Sequence, residues 1–282
     1  FDLGPEQPGR LHASRNEAAI ALLPRDFSYV KPGALTFGNA PSNPPLSFYA
    51  TDAKTPIGNE PDIALLLAES LGLTGQIIPS AWADWPLGLQ SGRFDAVISN
   101  VTVTEERKEK YDFTTYRHDV LGFYAAQDST IKTIREPKDV AGLRVIVGSG
   151  TNQEKVLLEW NRRNIAAGLK PVEFQYYTDQ ALVKLAITSG RADLTLGPNA
   201  SGAYSAAVDG LTRLVGTFSG GWPLTADIAV TTRKGSGLAP AFTAAINGLI
   251  ADGLYRRQLA RWNLEAEAIE KSETNPPGLP RA

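Results

Sequence analysis

The feature that most limits what this chain can fold into is a near-repeat. Leu89-Gln90-Ser91-Gly92-Arg93-Phe94-Asp95-Ala96-Val97-Ile98 aligns with Ile187-Thr188-Ser189-Gly190-Arg191-Ala192-Asp193-Leu194-Thr195-Leu196. Each copy stops a helix at glycine, turns, and enters a short apolar strand that runs into small polar residues, Ser99-Asn100 in the first and Gly197-Pro198-Asn199 in the second. A strand buried under a helix is the working unit of an α/β layered domain. Two copies in one chain of 282 residues therefore predict two α/β lobes of one plan. Ligands of open α/β sheets bind at the carboxyl ends of the strands. The two polar strand ends, including Asn199, are accordingly expected to face one cleft.

The first copy leads into Asn100-Val101-Thr102-Val103-Thr104-Glu105-Glu106-Arg107. Thr104 followed by two acids reads as a capped helix start, and Arg107 is a cation placed against the positive end of that helix. Local rules are broken most often at functional sites. A guanidinium that keeps its charge, aimed where backbone N–H groups are free, is a receptor for a carboxylate. The alternative is a surface pairing of Arg107 with Glu105, Glu106 or Asp112.

The set Asp95-Ala96-Val97-Ile98-Ser99, Thr102-x-Thr104-x-Glu106-Arg107-Lys108, the earlier Asn43-Pro44-Pro45-Leu46-Ser47-Phe48 and Asp62-Ile63-Ala64, and the late Ala251-Asp252-Gly253 with Trp262 resembles the family 3 extracellular solute-binding proteins, polar amino-acid receptors of ABC importers. The resemblance runs from about Leu35 to Leu264. It implies a two-lobed periplasmic-binding-protein fold, each lobe a sheet flanked by helices, joined by a two-stranded hinge that closes around the ligand. It also implies that Arg107 clamps a ligand carboxylate, that Thr102 and Thr151 complete the clamp, and that Trp82 covers the ligand side chain. Ser99 and Asn100 are expected to hold a polar nitrogen, with Asn43, Asn152 and Trp222 also lining the pocket. Where the family often carries an acid and an aromatic, this chain has Asn39 and Asn43. Pro198 stands where members that bind ordinary α-amino acids place an aspartate for the ammonium. That departure points to a ligand whose nitrogen is absent, substituted or in a ring.

The expected division is an N-terminal extension over 1–33, a first lobe over 34–123 and 224–265, a second lobe over 124–223, and a loose tail over 266–282. Ser14 to Glu17 reads as a capping box for a short helix that docks its Ile20-Ala21-Leu22-Leu23 stripe. Ile63, Leu66, Leu67 and Leu71 mark the core face of a helix from Asp62 to Leu71. Gln76-Ile77-Ile78, Ile131 to Ile134, and Leu143 to Val147 read as strands. Gly148 to Gln153 is a glycine-rich turn whose N–H groups suit an anion, ahead of a helix from Glu154 to Trp160. Gly216 to Pro223 is expected to be a flexible crossing, and Ala239 to Trp262 a helical pair broken at Asp252-Gly253.

A net charge of −2 with scattered basic residues argues against a nucleic-acid partner. No segment approaches the roughly 18 apolar residues of a membrane span. Zero cysteines exclude disulfides and thiol chemistry, and His12 and His118 are too few for a metal cluster. The chain starts at Phe1 rather than Met, so a secretory signal is expected to have been removed. The reading is an extracytoplasmic, periplasmic or membrane-tethered, monomeric binding protein that passes a small carboxylate-bearing solute to a membrane permease, with no cofactor and no catalysis. The rival is a periplasmic dehydratase of the prephenate or arogenate type, for which Glu60 and Asp84 are the candidate acids.

Overall fold

The computed structural model describes residues 1–149, 151–177 and 179–281. In chain order the elements are α1 (Glu17–Ile20), β1 (Ala34–Asn39), β2 (Ser42–Asn43), β3 (Ser47–Tyr49), β4 (Pro56–Ile57), α2 (Asn59–Ser70), β5 (Thr74–Pro79), α3 (Trp85–Gln90), β6 (Ala96–Val97) and β7 (Tyr111–His118). There follow β8 (Val120–Ala126), β9 (Arg144–Val147), α4 (Asn152–Ala166), β10 (Glu173–Gln175), α5 (Gln180–Thr188), β11 (Leu194–Pro198), α6 (Asn199–Asp209) and β12 (Thr212–Ser219). The chain ends with β13 (Asp227–Arg233), α7 (Leu238–Ala251) and α8 (Leu254–Arg261).

Two compact units result, Phe1–His118 with Ala226–Ala282, and Asp119–Thr225. The crossings thus fall at 118/119 and 225/226 rather than at 123/124 and 223/224. The first unit has sheet order β5-β1-β6-β13-β7 and the second β10-β9-β11-β8-β12. In each, three parallel strands are followed by an antiparallel pair. The near-repeat supplies the third strand of both sheets, β6 and β11. Its glycines, Gly92 and Gly190, hold φ of +77° and +79°, a conformation that favours glycine and ends the preceding helix.

The repeat's aspartates explain why the copies fold alike. Asp95 accepts from the Thr36 backbone N–H at 2.9 Å and its hydroxyl at 3.0 Å, on β1. Asp193 accepts from the Arg144 N–H at 2.9 Å, on the equivalent strand β9. Each backbone answers, with Asp95 N–H on Thr36 O and Asp193 N–H on Arg144 O. One side chain therefore locks the register of neighbouring strands in both sheets.

Several expectations are corrected. The cap of α1 is Asn16, whose side chain accepts from Ala19 N–H, not Ser14. The segment after Thr104 makes only a 3-10 turn, Arg107–Glu109, because Tyr111 onward is drawn into the eight-residue β7 beside β13. Ile131 to Ile134 is not a strand, although Ile134 N–H reaches Val215 O. Gly216 to Ser219 is paired with β8 and is no loose crossing. Nor is the tail loose: Thr274 bridges Thr114, Leu279 bridges Thr104, and Asn275 accepts from Phe113 N–H at 2.8 Å. The outer edge of β7 has backbone groups to satisfy, and the tail satisfies them.

Candidate functional site

In the first unit the candidate residues stand just beyond the carboxyl ends of β5, β1 and β6, three adjacent parallel strands. Val101 to Val103 is stitched to the start of β13, with Val103 N–H on Asp227 O at 2.9 Å and Ala229 N–H on Val101 O at 3.0 Å. Thr104 Oγ1 accepts from Arg107 N–H at 3.1 Å, which sets the turn. From there the Arg107 side chain reaches back, donating from Nη1 to Thr102 O at 2.9 Å. Its guanidinium lies 5.9 Å from the centre of the Trp82 ring, which is 45% exposed. Trp85 beneath is buried and packs on Tyr111, with ring centres 5.0 Å apart.

Arg107 forms no ion pair among the described residues. Glu105 pairs with Lys108 at 3.3 Å, Glu109 pairs with Arg281, and Asp112 accepts from Gly235 N–H and Asn275. Loss of solvent pulls the half-buried guanidinium below its ordinary value, with Glu106 and Tyr111 pushing the other way. It stays charged all the same. A cation with four further N–H donors, one backbone contact and an aromatic wall is arranged to take an anion.

Ser99 and Asn100 are less free than expected. Ser99 is buried and accepts from Ala40 N–H at 3.0 Å, tying the loops after β1 and β6 together. Asn100 holds φ of +54°; its N–H donates to Glu60 Oε2 at 2.7 Å, and its side-chain oxygen accepts from Arg117. Arg117 also donates to Glu267, the pair 1% exposed on each side. Glu60 takes the Tyr116 hydroxyl and the Asn39 amide as well. Burial pushes the Glu60 carboxyl up from its ordinary value, against Arg117 and these donors. The same burial drives the Tyr116 phenol far up. This buried network behind Asn100 escapes sequence reading because Arg117 and Glu267 lie far apart in the chain. Asn43 is exposed in the β2–β3 hairpin, opposite Ser47.

In the second unit Thr151 caps α4, accepting from Glu154 N–H at 3.2 Å and donating to Gly148 O at 2.7 Å. Asn152 donates to Gly220 O. Within the glycine-rich turn, Gly150 lies outside the described residues. Asn199 is buried, and its side-chain oxygen accepts from the Tyr124 hydroxyl at 2.7 Å. It fastens α6 to β8. Trp222 packs edge-on to Trp160 at 6.0 Å and under Arg163 at 4.8 Å, partly buried against the core of the second unit.

A first α/β unit built from two chain segments, a second built from the segment between them, and these strand orders define a periplasmic-binding-protein fold. The sequence profile of the Bacterial extracellular solute-binding proteins, family 3, matches residues 35–265, and the chain belongs to that family. It is 35% identical over 165 residues to the L-cystine-binding protein TcyJ of Escherichia coli (strain K12), spanning 58% of each chain. The aligned stretch thus covers under two thirds of that relative's length. Over 253 residues it is 28% identical to the arginine-binding protein ArgT of Corynebacterium glutamicum, covering 86% of this chain and 78% of that one. Among solved structures, the L-cystine solute receptor of Neisseria gonorrhoeae in its unliganded open conformation superposes with a TM-score of 0.71 at 21% identity, covering 85% and 97% of the two chains.

Proposed function

We propose that this protein is an extracytoplasmic receptor that binds a small carboxylate-bearing solute, an amino acid or amino-acid derivative, and delivers it to the permease of an ABC importer. The observation that carries the reading is Arg107: half-buried, without a carboxylate partner among the described residues, and set beside Trp82 at the strand ends. The ligand carboxylate takes the guanidinium fork, with Thr102 beside it. Thr151 and Asn152, at the α4 N-terminus, meet the ligand from the second unit. Ser99 keeps its hydroxyl proton to donate, and Asn43 stands at the rim. The names of the relatives support an amino-acid head group. Pro198 withholds a side-chain acceptor for its ammonium, which favours a substituted or ring nitrogen.

A dehydratase is disfavoured by the acids themselves. Glu60 is 2% exposed and fully engaged, whereas a general acid must reach substrate. Asp84 is exposed at the end of a 3-10 turn.

The test is titration calorimetry on the ligand that native mass spectrometry finds carried through purification. Arg107→Ala should weaken binding at least about a hundredfold, the worth of roughly 3 kcal/mol from charged hydrogen bonds. Its melting temperature should match that of the wild type. Near-native affinity in Arg107→Ala overturns the clamp.

A further inference from the structure

A cavity of about 280 Å³ lies within the second unit, between its sheet and the helices α5 and α6. Toward the carboxyl ends of β9 and β11 and the first turn of α4 it is lined by Gly148, Gln153, Gly197 and Pro198. Thr151 caps that same turn. The far end reaches Thr195 and Tyr124, register partners across β11 and β8. From Pro198 to Thr195 is three strand residues, about 10 Å at 3.3 Å each. An extended amino-acid side chain fits within that length.

Helical spacing opens this space. Val183 and Ile187 on α5, and Ser201 and Ser205 on α6, are each four residues apart, so each pair lines one helix face. The α6 face carries only small hydroxyl residues and Gly202, where a Cβ would fall 2.3 Å from the Tyr124 ring. Bulk is thereby withheld from one wall along a full turn.

The lining also has a charge character. Among the described residues that line it there is no carboxylate. Gln153 and Gln180 bring amides, and Lys184 brings an ammonium, which pairs with Asp209 across the two helices at 2.6 Å. A cation entering here would lose water and find no carboxylate free to pair with it, since Asp209 is engaged with Lys184. Unpaired charge buried in that way is costly. An amide or carboxylate would find donors.

We infer that this cavity receives the distal part of the ligand and selects extended amino acids that end in an amide, a carboxylate or an uncharged polar group, against those that end in a guanidinium or ammonium. The inference rests on the amino-acid reading above and narrows it, setting this chain apart from its relative named as an arginine-binding protein.

Calorimetry would use L-glutamine, L-glutamate and L-arginine, each free and N-acetylated. The tightest of the glutamine and glutamate ligands should bind wild-type protein at least tenfold more tightly than arginine carrying the same head group. Ser205→Leu, which places a butyl group in the cavity, should weaken that ligand at least tenfold without lowering the ligand-free melting temperature. Lys184→Glu, which puts a carboxylate on the wall, should narrow the preference over arginine at least tenfold. Arginine binding as tightly as the others, or Ser205→Leu and Lys184→Glu both leaving the affinities unchanged, overturns the inference while the amino-acid reading stands. No binding by any of the six probes to wild-type protein overturns both.

Discussion

Asn100 sits at φ +54° because its N–H is claimed by Glu60 and its side chain by Arg117. The loop that delivers Thr102 and Arg107 is therefore set by the buried Glu60 and Arg117. Desolvation pushes the Glu60 carboxyl above its ordinary value of about 4.3, and Arg117, Tyr116, Asn100 and Asn39 only partly offset it. An acid whose folded-state pKa exceeds its unfolded value holds its proton better when folded. Its contribution to stability is then greatest below about pH 4.3 and falls as pH rises toward the folded value. Replacing it with glutamine removes that titration. The stability gap between wild type and Glu60→Gln should therefore narrow from about pH 4 upward, measured by urea denaturation at several pH values. A gap that widens over that range would mean the carboxylate is held ionised by Arg117. The composition of this network is visible in the sequence, but its convergence is not, because charge pairs separated by a whole lobe leave no local pattern.

Among the elements, β6 and β11 carry most of what the sequence made legible. The same helix stop, turn and aspartate produce the same strand pairing twice, and the two aspartates offer a graded test. Asp95 is buried and accepts from Thr36 N–H, Thr36 Oγ1 and Val30 N–H. The second copy sits in a wetter place, since the Asp193 and Arg144 side chains are 26% and 38% exposed. Asp95→Ala strands three donors and should cost about 3 kcal/mol. Asp193→Ala leaves one backbone donor that water can reach and should cost about 1 kcal/mol. Equal losses in chemical denaturation would contradict the burial argument. The turn at Arg107 departs from the helix expected there for an equally local reason. Thr104-Glu105-Glu106 does favour a helix start, but pairing of β7 with β13 takes the residues that a helix needs.

For the molecule as a whole, Arg107 belongs to one unit and Thr151 to the other. On the proposed function, a ligand that takes contacts from both binds best when the units draw together, so saturation should shift the population that way. Small-angle scattering should record a smaller radius of gyration with a verified ligand. An unchanged radius would place the ligand contacts within a single unit. The N-terminal arm and the tail both belong to the first unit. Arg10 and Arg261 both reach the buried Asp62, and Phe1 stacks on Trp262 at 5.6 Å.

The sequence by itself determined the α/β plan, its duplication and the arginine at its strand end, since helix stops, apolar strand runs and a charge out of place are all written within a few residues. Only the tertiary structure decided that Arg107 lacks a carboxylate partner among the described residues, that Asn199 and Trp222 serve the core, and that the tail is pinned to β7. Those outcomes depend on which surfaces meet, and burial of Trp222 against Trp160 or of Asn199 under Tyr124 is an energy of neighbours that no local spacing records.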